Sequence, residues 1–297
     1  MKLLTACPIC KSEQIGPYAM KYQKGFPHNS RTICKSCGIV FANPVADEQE
    51  LNAFYKNYYD KGNFGNLQYK QKTISQFENI QKATIQELLK LDRNVKYYTG
   101  EGNYLDVGFG LGFHLYIAQK LGYHVYGTEL DKDCIDFVQP YILAAQLYNG
   151  DLLSAKYENN QFDIINICHV IEHLIDPNSY LLELNRIVKN EGLIIVSTPN
   201  IGALAYQLFR VVNFLSFKIP LIVDGLEHTV IFNQKNLRTV IENHGFIIVD
   251  QYTESVNDSF SNIWKSNLSI RKKIVRYLQT FVKINQVIVA KKVSAKL

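Results

Sequence analysis

The chain has 297 residues, of which 47% are hydrophobic and 20% are charged, and its formal net charge is +5. This length accommodates one large and one small domain, and the composition is that of a globular protein rather than a disordered one. The positive charge is modest and forms no long basic run, which argues against a dedicated nucleic-acid-binding protein.

The start of the chain and its hydrophobicity bear on its location in the cell. The segment before Cys7 is too short to contain the apolar core of a secretion signal. No uninterrupted apolar run reaches the roughly 18 residues of a membrane-spanning helix, so the sequence predicts none. We therefore expect a cytoplasmic protein, although peripheral contact with a membrane surface stays open.

Two C-x-x-C pairs lie near the start of the chain, Cys7 with Cys10 and Cys34 with Cys37. Together they supply four thiolates, which is a tetrahedral donor set suited to Zn²⁺. Structural thiol pairs or a redox-active pair are the alternatives, but neither explains the duplication. Because four cysteines leave no open coordination position, we expect a structural zinc module over residues 1–45 whose folding depends on the metal.

A helical linker is expected over residues 46–95. Apolar and aromatic residues recur at helical spacing over 47–59 and again over 74–91, with a glycine-containing loop at 60–66 between them. The aromatic stretch 54–69 suits packing against the following domain, and a cover over a bound cofactor is the second interpretation.

The rest of the chain, residues 96–297, alternates strand and helix patterns, which is typical of a parallel sheet covered by helices on both faces. Such α/β sheets bind ligands at the carboxyl ends of their strands. Insertions over 201–230 and 255–283 are expected on the substrate side, and the last strand is expected to be antiparallel. The predicted strands lie near 104–108, 124–129, 146–150, 162–168, 193–197, 245–249 and 286–290, and the predicted helices near 112–121, 131–138, 178–189 and 234–244.

A glycine-rich stretch, Asp106-Val107-Gly108-Phe109-Gly110-Leu111-Gly112, stands between the first of these strands and the first of these helices. Residues without a Cβ permit a tight turn and the close approach of a ligand, and the amides that begin the helix favour a polar or anionic group. A dinucleotide-binding loop requires a small residue where this chain has Phe113. The alternative is a tight turn that binds nothing.

The pattern D-x-G-x-G-x-G resembles motif I of the class I S-adenosylmethionine-dependent methyltransferases, which implies a Rossmann-like sheet. An acid about 20 positions after the first glycine suits the ribose hydroxyls, and Glu129 ends the next strand at that place. The resemblance also implies that the loop binds the methionine end of the cofactor and that Asp151 lies at the adenine. The implied cofactor-binding residues are Asp106, Gly108, Gly110, Gly112, Glu129, Asp151, Leu152 and His169.

Titratable side chains crowd the end of the fourth strand, where the chain reads Cys168-His169-Val170-Ile171-Glu172-His173. Histidine most readily takes up a proton near neutral pH, although a histidine at a strand end is commonly structural. The segment resembles the H-V-x-E-H sequence of many small-molecule and sugar methyltransferases. His228 follows an apolar segment over 201–223 and is the first candidate for a general base. The other candidate catalytic residues are His169, His173 and Glu172.

The order of these features resembles bacterial methyltransferases of surface-polysaccharide and deoxysugar pathways. It comprises the four-cysteine module, the linker, motif I, H-V-I-E-H-x-x-x-P and a late E-H-x-x-x-F. This resemblance implies O-methylation of a sugar that is nucleotide-linked, lipid-linked or part of a polysaccharide, although deoxysugar C-methyltransferases share the zinc module. The expected partner is a small-molecule or glycan acceptor and not a nucleic acid.

Two other functions stay open from the sequence. One is metal-assisted RNA 2′-O-methylation, because a Glu/His set holds a divalent metal in small-RNA 2′-O-methyltransferases. This chain resembles that set at His169, Glu172, His173 and His228, with histidine in place of an acid at the first position. The other is a scaffold that binds the cofactor without turnover and docks through its zinc module.

Overall fold

The computed structural model describes residues 2–18, 31–47, 49–51, 67–204, 206–207, 228–255, 270 and 283–293. Most of the helix predicted over 47–59, the loop predicted at 60–66 and the greater part of both predicted insertions lie outside these residues. The division of the chain at residues 45 and 95 stays a prediction.

The described part of the chain folds into a seven-stranded sheet, a four-stranded sheet and the helices that cover them. The strands are β1 (Ile15–Pro17), β2 (Arg31–Cys34), β3 (Val40–Ala42), β4 (Asn103–Val107), β5 (His124–Glu129), β6 (Gln146–Asn149), β7 (Phe162–Cys168), β8 (Val188–Pro199), β9 (Val230–Ile231), β10 (Phe246–Glu254) and β11 (Asn285–Lys292). The α-helices are α1 (Leu67–Lys82), α2 (Ile85–Leu91), α3 (Phe113–Lys120), α4 (Lys132–Val138), α5 (Pro177–Ile187) and α6 (Gln234–Glu242). None of these described helices combines the length and the apolarity that a bilayer-spanning helix requires.

The seven-stranded sheet has the order β6-β5-β4-β7-β8-β11-β10. Strands β4 to β8 pair in parallel, whereas β11 is antiparallel to both of its neighbours. This confirms the predicted α/β sheet with an antiparallel last strand. The strand order reverses at β4, which lies between β5 and β7, and such a reversal opens a crevice at the carboxyl ends of the strands.

The single amphipathic helix predicted over 74–91 is wrong, because the structure has two helices there. α1 ends at Lys82 and α2 begins at Ile85. Between them, the Thr84 side chain accepts a hydrogen bond from the Glu87 amide, while the Glu87 carboxylate accepts one from the Thr84 amide. This reciprocal capping stabilises a helix start by about 1 kcal/mol and explains the break.

The predicted boundary between the helix over 178–189 and the strand over 193–197 is also wrong. α5 ends at Ile187, and β8 begins directly afterwards. Val188 has an extended backbone, is fully buried and pairs with Phe162 of β7. Burial of this β-branched side chain against the sheet therefore ends the helix early.

Apolar side chains cover both faces of the large sheet. Leu105 of β4 lies in a core cluster with α5 and α6, whereas its neighbour Tyr104 lies in the cluster on the opposite face. Cys7 and Cys34 belong to the Leu105 cluster. The cysteine module is therefore packed against the large sheet.

Helix α1 packs against α3 through aromatic rings. The rings of Phe77 and Tyr116 are stacked with centroids 4.3 Å apart and an angle of 8° between their planes. Packing of the aromatic stretch 54–69 on the following domain stays a prediction, because almost all of that stretch lies outside the described residues. A role as a cover over the cofactor stays a prediction.

The small sheet has the order β1-β2-β3-β9 and is antiparallel throughout. Its first three strands come from the cysteine module, and β9 comes from a segment that follows the parallel strands of the large sheet. Val40 pairs with Ile231, and Phe41 pairs with Val230. This pairing places His228 where the cysteine module meets the large sheet.

Candidate active site

The glycine loop after β4 combines two tightly packed positions with one open position. Gly108, Gly110 and Gly112 have φ of 67°, 53° and 76°, in the left-handed region that L side chains rarely adopt. A Cβ at Gly108 would lie 2.6 Å from Val170 Cγ2, and a Cβ at Gly112 would lie 2.9 Å from Val138 Cγ2. A Cβ at Gly110 would meet no described atom within 4 Å. The loop therefore leaves space for a ligand at Gly110.

Glu129, the last residue of β5, lies against this loop. Its Oε2 accepts a hydrogen bond from the Gly110 amide at 2.8 Å, and its Oε1 accepts from the amides of Leu130 and Asp131 at 2.7 and 3.0 Å. Burial raises the pKa of Glu129, and these amide donors oppose that rise. A carboxylate oxygen has two lone pairs, so Oε2 retains an acceptor site for a ligand hydroxyl.

Asp106 is buried at the end of β4. Its Oδ1 accepts a hydrogen bond from Asn166 Nδ2 at 2.8 Å, while its Oδ2 is buried without a hydrogen-bond partner among the described residues. Burial raises the pKa of this carboxyl to about 6. An unsatisfied buried oxygen is costly, and the amino group of an S-adenosylmethionine molecule would satisfy it. The residues around the glycine loop therefore fit this cofactor.

Asp151 follows β6, close to Glu129. The amide of Gly150 donates a hydrogen bond to the Glu129 carbonyl at 3.0 Å, which holds the two strand ends together. Asp151 Oδ1 accepts hydrogen bonds from the Ser154 amide at 2.8 Å and from Ser154 Oγ at 2.5 Å. Leu152 is fully buried. Asp151 and Leu152 thus lie directly after β6, at the carboxyl edge of the sheet, and one Asp151 oxygen is engaged by the local turn.

Glu172 is the centre of a second group at the end of β7. It is 2% exposed, and its carboxylate accepts hydrogen bonds from His169 Nδ1 at 3.1 Å and from Thr198 Oγ1 at 2.9 Å. Burial alone would raise the pKa of Glu172, but His169 and the imidazoles of His173 and His228 outweigh burial and lower the pKa to about 2. Glu172 therefore remains ionised inside the protein.

His169 adopts a left-handed backbone with φ of 55° directly after β7. Desolvation lowers the pKa of its imidazole, but Cys168 and the Glu172 carboxylate outweigh this effect and raise the pKa to about 9. The His169 side chain is 42% exposed, and its raised pKa favours the protonated form beside the Glu172 carboxylate.

His228 joins this group from a distant part of the sequence. It is 8% exposed, and its ring centroid lies 4.9 Å from that of His173. The metal-binding atoms of Glu172, His173 and His228 all lie within 4.8 Å of one another. The structure therefore brings three of the four predicted catalytic residues together, and the fourth, His169, contacts Glu172.

Two polar features of the site are not among the residues predicted from the sequence. Asn166, which binds Asp106, is a buried polar residue between Ile165 and Ile167 of β7, and a polar residue in that apolar setting is a usable signal. His114, in the first turn of α3, has its Nδ1 3.3 Å from Asp92 Oδ2. Burial lowers the pKa of His114, but Asp92 and Cys168 outweigh burial and hold it well above the ordinary value.

The four predicted zinc ligands also lie together. Cys7 Sγ is 3.7 Å from Cys37 Sγ, Cys10 Sγ is 3.5 Å from Cys34 Sγ, and all four sulfurs lie within 4.8 Å of one another. A tetrahedral site with metal–sulfur bonds of about 2.3 Å has sulfurs about 3.8 Å apart. The cluster therefore fits a tetrahedral thiolate site.

Known proteins share this domain. Residues 105–196 match the family model described as a methyltransferase domain. The ubiquinone biosynthesis O-methyltransferase of Hydrogenovibrio crunogenus is 28% identical over 176 residues, which cover 55% of this chain and 65% of that protein. The ajmaline N-methyltransferase of Rauvolfia serpentina is 30% identical over 101 residues, which cover 32% of this chain and 35% of that protein. The chain thus spans less than two thirds of each of these relatives.

Solved structures with low sequence identity share the fold. A candidate methyltransferase of Bacillus halodurans C-125 superposes with a TM-score of 0.51 at 18% identity, covering 69% of this chain and 99% of that one. The cyclase SpnF superposes with a TM-score of 0.51 at 16% identity, covering 69% of this chain and 82% of that one. The matching family over β4 to β8, the fold and the glycine loop together show that the chain contains a class I S-adenosylmethionine-dependent methyltransferase domain.

Proposed function

We propose that the chain transfers the methyl group of S-adenosylmethionine to a hydroxyl oxygen of a sugar. The close approach of the glycine loop to the segment after β7 supports a single reaction site, because a Cβ at Gly108 would lie only 2.6 Å from Val170. The glycine loop thus packs directly on the segment that carries His169, Glu172 and His173. The methyl donor, bound at the glycine loop, and the proton acceptor, in the group around Glu172, would therefore lie next to each other.

The cofactor would lie across the ends of β4, β5 and β6. In this proposal Asp106 and the glycine loop bind its methionine end, Glu129 binds the ribose hydroxyls, and Asp151 and Leu152 lie at the adenine. The bound cofactor supplies a methyl group that its sulfonium has already activated, so the protein must align the acceptor and remove its proton.

His228 is the proposed general base. When bound, the cofactor would supply the methyl carbon to the acceptor oxygen, and its sulfur would keep the electron pair of the carbon–sulfur bond that breaks. The hydroxyl proton goes to the His228 imidazole. The buried Glu172 carboxylate stabilises the resulting imidazolium, and His173 lies beside it.

The acceptor is proposed from the chemistry of Glu172 and its neighbouring histidines and from the order of the motifs along the chain. A hydroxyl needs a base more than an amine or a thiol does, so several histidines beside the cofactor favour O-methylation. Of the two relatives compared above, one is named an O-methyltransferase and the other an N-methyltransferase. The sugar acceptor is proposed from the resemblance of the whole chain to methyltransferases of surface-polysaccharide and deoxysugar pathways, and it is nucleotide-linked, lipid-linked or polymeric. The same resemblance supports an acceptor that is not a nucleic acid.

The proposed metal is one structural Zn²⁺ held by Cys7, Cys10, Cys34 and Cys37. The spacing of the four sulfurs and their thiolate chemistry support it. This ion would have no open coordination position, so it would stabilise the fold and take no part in the reaction.

A second candidate function is metal-assisted methylation. Two imidazoles and one carboxylate, from His173, His228 and Glu172, lie close enough to hold a divalent ion. The test is Mn²⁺ binding followed by electron paramagnetic resonance, because Mn²⁺ prefers oxygen and nitrogen ligands to thiolates. Binding that disappears in Glu172→Gln would favour this candidate, and absence of binding to the active wild type would exclude it.

Incubation with methyl-labelled S-adenosylmethionine and a panel of acceptors tests the primary proposal. The panel contains nucleotide-linked sugars, a catechol, an amine and a short RNA. We expect label in a sugar, at a hydroxyl oxygen identified by mass spectrometry of the product. Label in the amine or RNA alone would contradict the proposal, and cofactor binding without transfer to any acceptor would favour the scaffold.

A further inference from the structure

A buried arginine joins the cysteine module to the proposed catalytic base. Arg31 is the first residue of β2 and is 3% exposed. Its guanidinium donates a hydrogen bond to the backbone carbonyl of His228. The same short strand ends at Cys34, so the cysteine cluster and this hydrogen bond share one element of four residues.

The backbone next to His228 is held from two sides. On one side, the amide of Ala42 in β3 donates to the Thr229 carbonyl at 2.8 Å. On the other side, the Thr229 amide donates to the Glu172 carbonyl at 2.8 Å, and Thr229 Oγ1 donates to the Leu174 carbonyl at 2.5 Å. Arg31 and Ala42 of the cysteine module therefore bind the carbonyls of His228 and Thr229, and the segment that carries Glu172 and Leu174 binds Thr229 from the other side.

The position of the His228 backbone should depend on Arg31, because this arginine is buried. A guanidinium is always charged, and its burial is unfavourable unless fixed acceptors satisfy it. Pairing of Arg31 with Ala42 in the small sheet fixes the backbone from which the side chain extends. The Arg31 side chain therefore reaches the His228 carbonyl from a backbone that is held in the small sheet.

We propose that Arg31 is a positioning residue that holds His228 beside Glu172. This inference rests on the proposed role of His228 as general base. Arg31 would act on turnover and not on cofactor affinity, because the proposed cofactor residues lie on the loops after β4, β5 and β6. The cysteine cluster would contribute by keeping β2 folded.

The test compares Arg31→Lys and Arg31→Met with the wild type and with Arg238→Met. Arg238 lies on α6 and pairs at the surface with Glu242, so it is a matched control. We measure kcat and KM for the acceptor and the affinity for S-adenosylhomocysteine. A small displacement of a catalytic group costs up to about 100-fold in rate. We expect a loss of about that size in Arg31→Met and a smaller loss in Arg31→Lys, with cofactor affinity within about twofold of the wild type.

Nuclear magnetic resonance of ¹³C-labelled histidine rings reports on position without turnover. The His228 signal is assigned by its loss in His228→Asn, and His124, an exposed residue at the start of β5, is the reference. We expect the His228 signal to move in both Arg31 variants while the His124 signal stays in place. The Arg238→Met spectrum should match that of the wild type.

Each outcome decides the proposal. Unchanged kcat and an unmoved His228 signal in the Arg31 variants would overturn it. A parallel fall in kcat and cofactor affinity, with both histidine signals altered, would show a merely structural role and overturn it as well. If Arg31→Met does not fold, Arg31→Lys decides by the same criteria. If the wild type binds the cofactor but shows no turnover, the proposed function fails, and the His228 signal still tests the positioning.

Discussion

The Gly110 amide donates a hydrogen bond to Glu129 Oε2 at 2.8 Å, which joins the loop after β4 to the last residue of β5. Glu129 is thus both a loop support and the proposed ribose ligand. Its replacement by Gln keeps one acceptor oxygen, whereas Ala removes both. We expect Glu129→Ala to abolish calorimetric binding of S-adenosylhomocysteine and Glu129→Gln to weaken it about tenfold or more. Undiminished binding in both variants would contradict the cofactor site.

The glycines of the loop should separate a packing role from a ligand-binding role. In Gly108→Ala the new Cβ would lie 2.6 Å from Val170 Cγ2, and the residue would need a positive φ. Strain and overpacking together should lower the free energy of unfolding by about 2–4 kcal/mol. The double variant Gly108→Ala/Val170→Ala should recover part of that loss in urea titrations.

Gly110→Ala should behave differently, because its Cβ meets no described atom within 4 Å. The left-handed backbone costs this variant about 1–2 kcal/mol of stability. We expect it to fold and to lose cofactor affinity more than about tenfold, since the methyl group occupies the proposed ligand space. Wild-type affinity for S-adenosylhomocysteine in this variant would place the cofactor elsewhere.

The Asp92–His114 pair predicts a dependence of stability on pH. Burial raises the pKa of Asp92, but His114 and the Asn94 amide outweigh burial and lower it below its ordinary 3.8. The pKa of His114 is held well above its ordinary 6.5 by Asp92 and Cys168, although burial opposes this. Stability from the depressed Asp92 pKa is present above pH 3.8 and is lost as pH falls. Stability from the raised His114 pKa is complete below pH 6.5 and is lost as pH rises through the folded-state pKa.

Asp92→Asn tests this pair, because asparagine keeps the side-chain oxygen that accepts the Asn94 amide at 2.8 Å. We expect the variant to be about 2 kcal/mol less stable than the wild type near pH 5.5. In urea titrations this difference should shrink as the pH rises above 6.5. The exposed pair Lys132–Asp136 provides the control, and Lys132→Gln should change stability little at any pH. A constant difference between Asp92→Asn and the wild type would contradict the ion pair.

The cysteine cluster predicts a metal content. We expect about one zinc per chain by elemental analysis, with loss of metal and a lower thermal midpoint in Cys34→Ser. Cys134 on α4 lies outside the cluster, so Cys134→Ala should retain the metal. Metal-free wild-type protein with an unchanged thermal midpoint would contradict a structural zinc site.

Much of this fold follows from local sequence patterns, and the exceptions have physical causes. The parallel strands and the glycine loop are predictable because apolar runs and glycine spacing are local features. The break at Thr84 interrupts a continuous apolar stripe and depends on a T-x-x-E capping box, whose residue types are also found inside continuous helices. The early start of β8 depends on pairing of Val188 with Phe162, which local periodicity does not reveal.

Contacts between distant segments account for what the sequence does not predict at the site. The positions of His228 and Glu172 follow from pairing of β3 with β9, and Val40 and Ile231 are far apart in the chain. The contact between His114 and Asp92 likewise joins two elements whose polar residues look like ordinary surface positions in the sequence. The sequence motifs therefore predict the Glu172 group and the cysteine cluster, whereas contacts such as that of His114 with Asp92 are not predictable from them.

The most direct test of the account measures His228→Ala with the acceptor that the wild type methylates. A general base contributes about 10²- to 10⁴-fold to the rate, so kcat should fall by about that factor while S-adenosylhomocysteine affinity stays within about twofold. His124→Ala, at an exposed position, should retain wild-type kcat. A His228→Ala enzyme with wild-type kcat would contradict the assignment of the base, and equal losses of kcat and cofactor affinity would show that His228 supports the fold rather than the reaction.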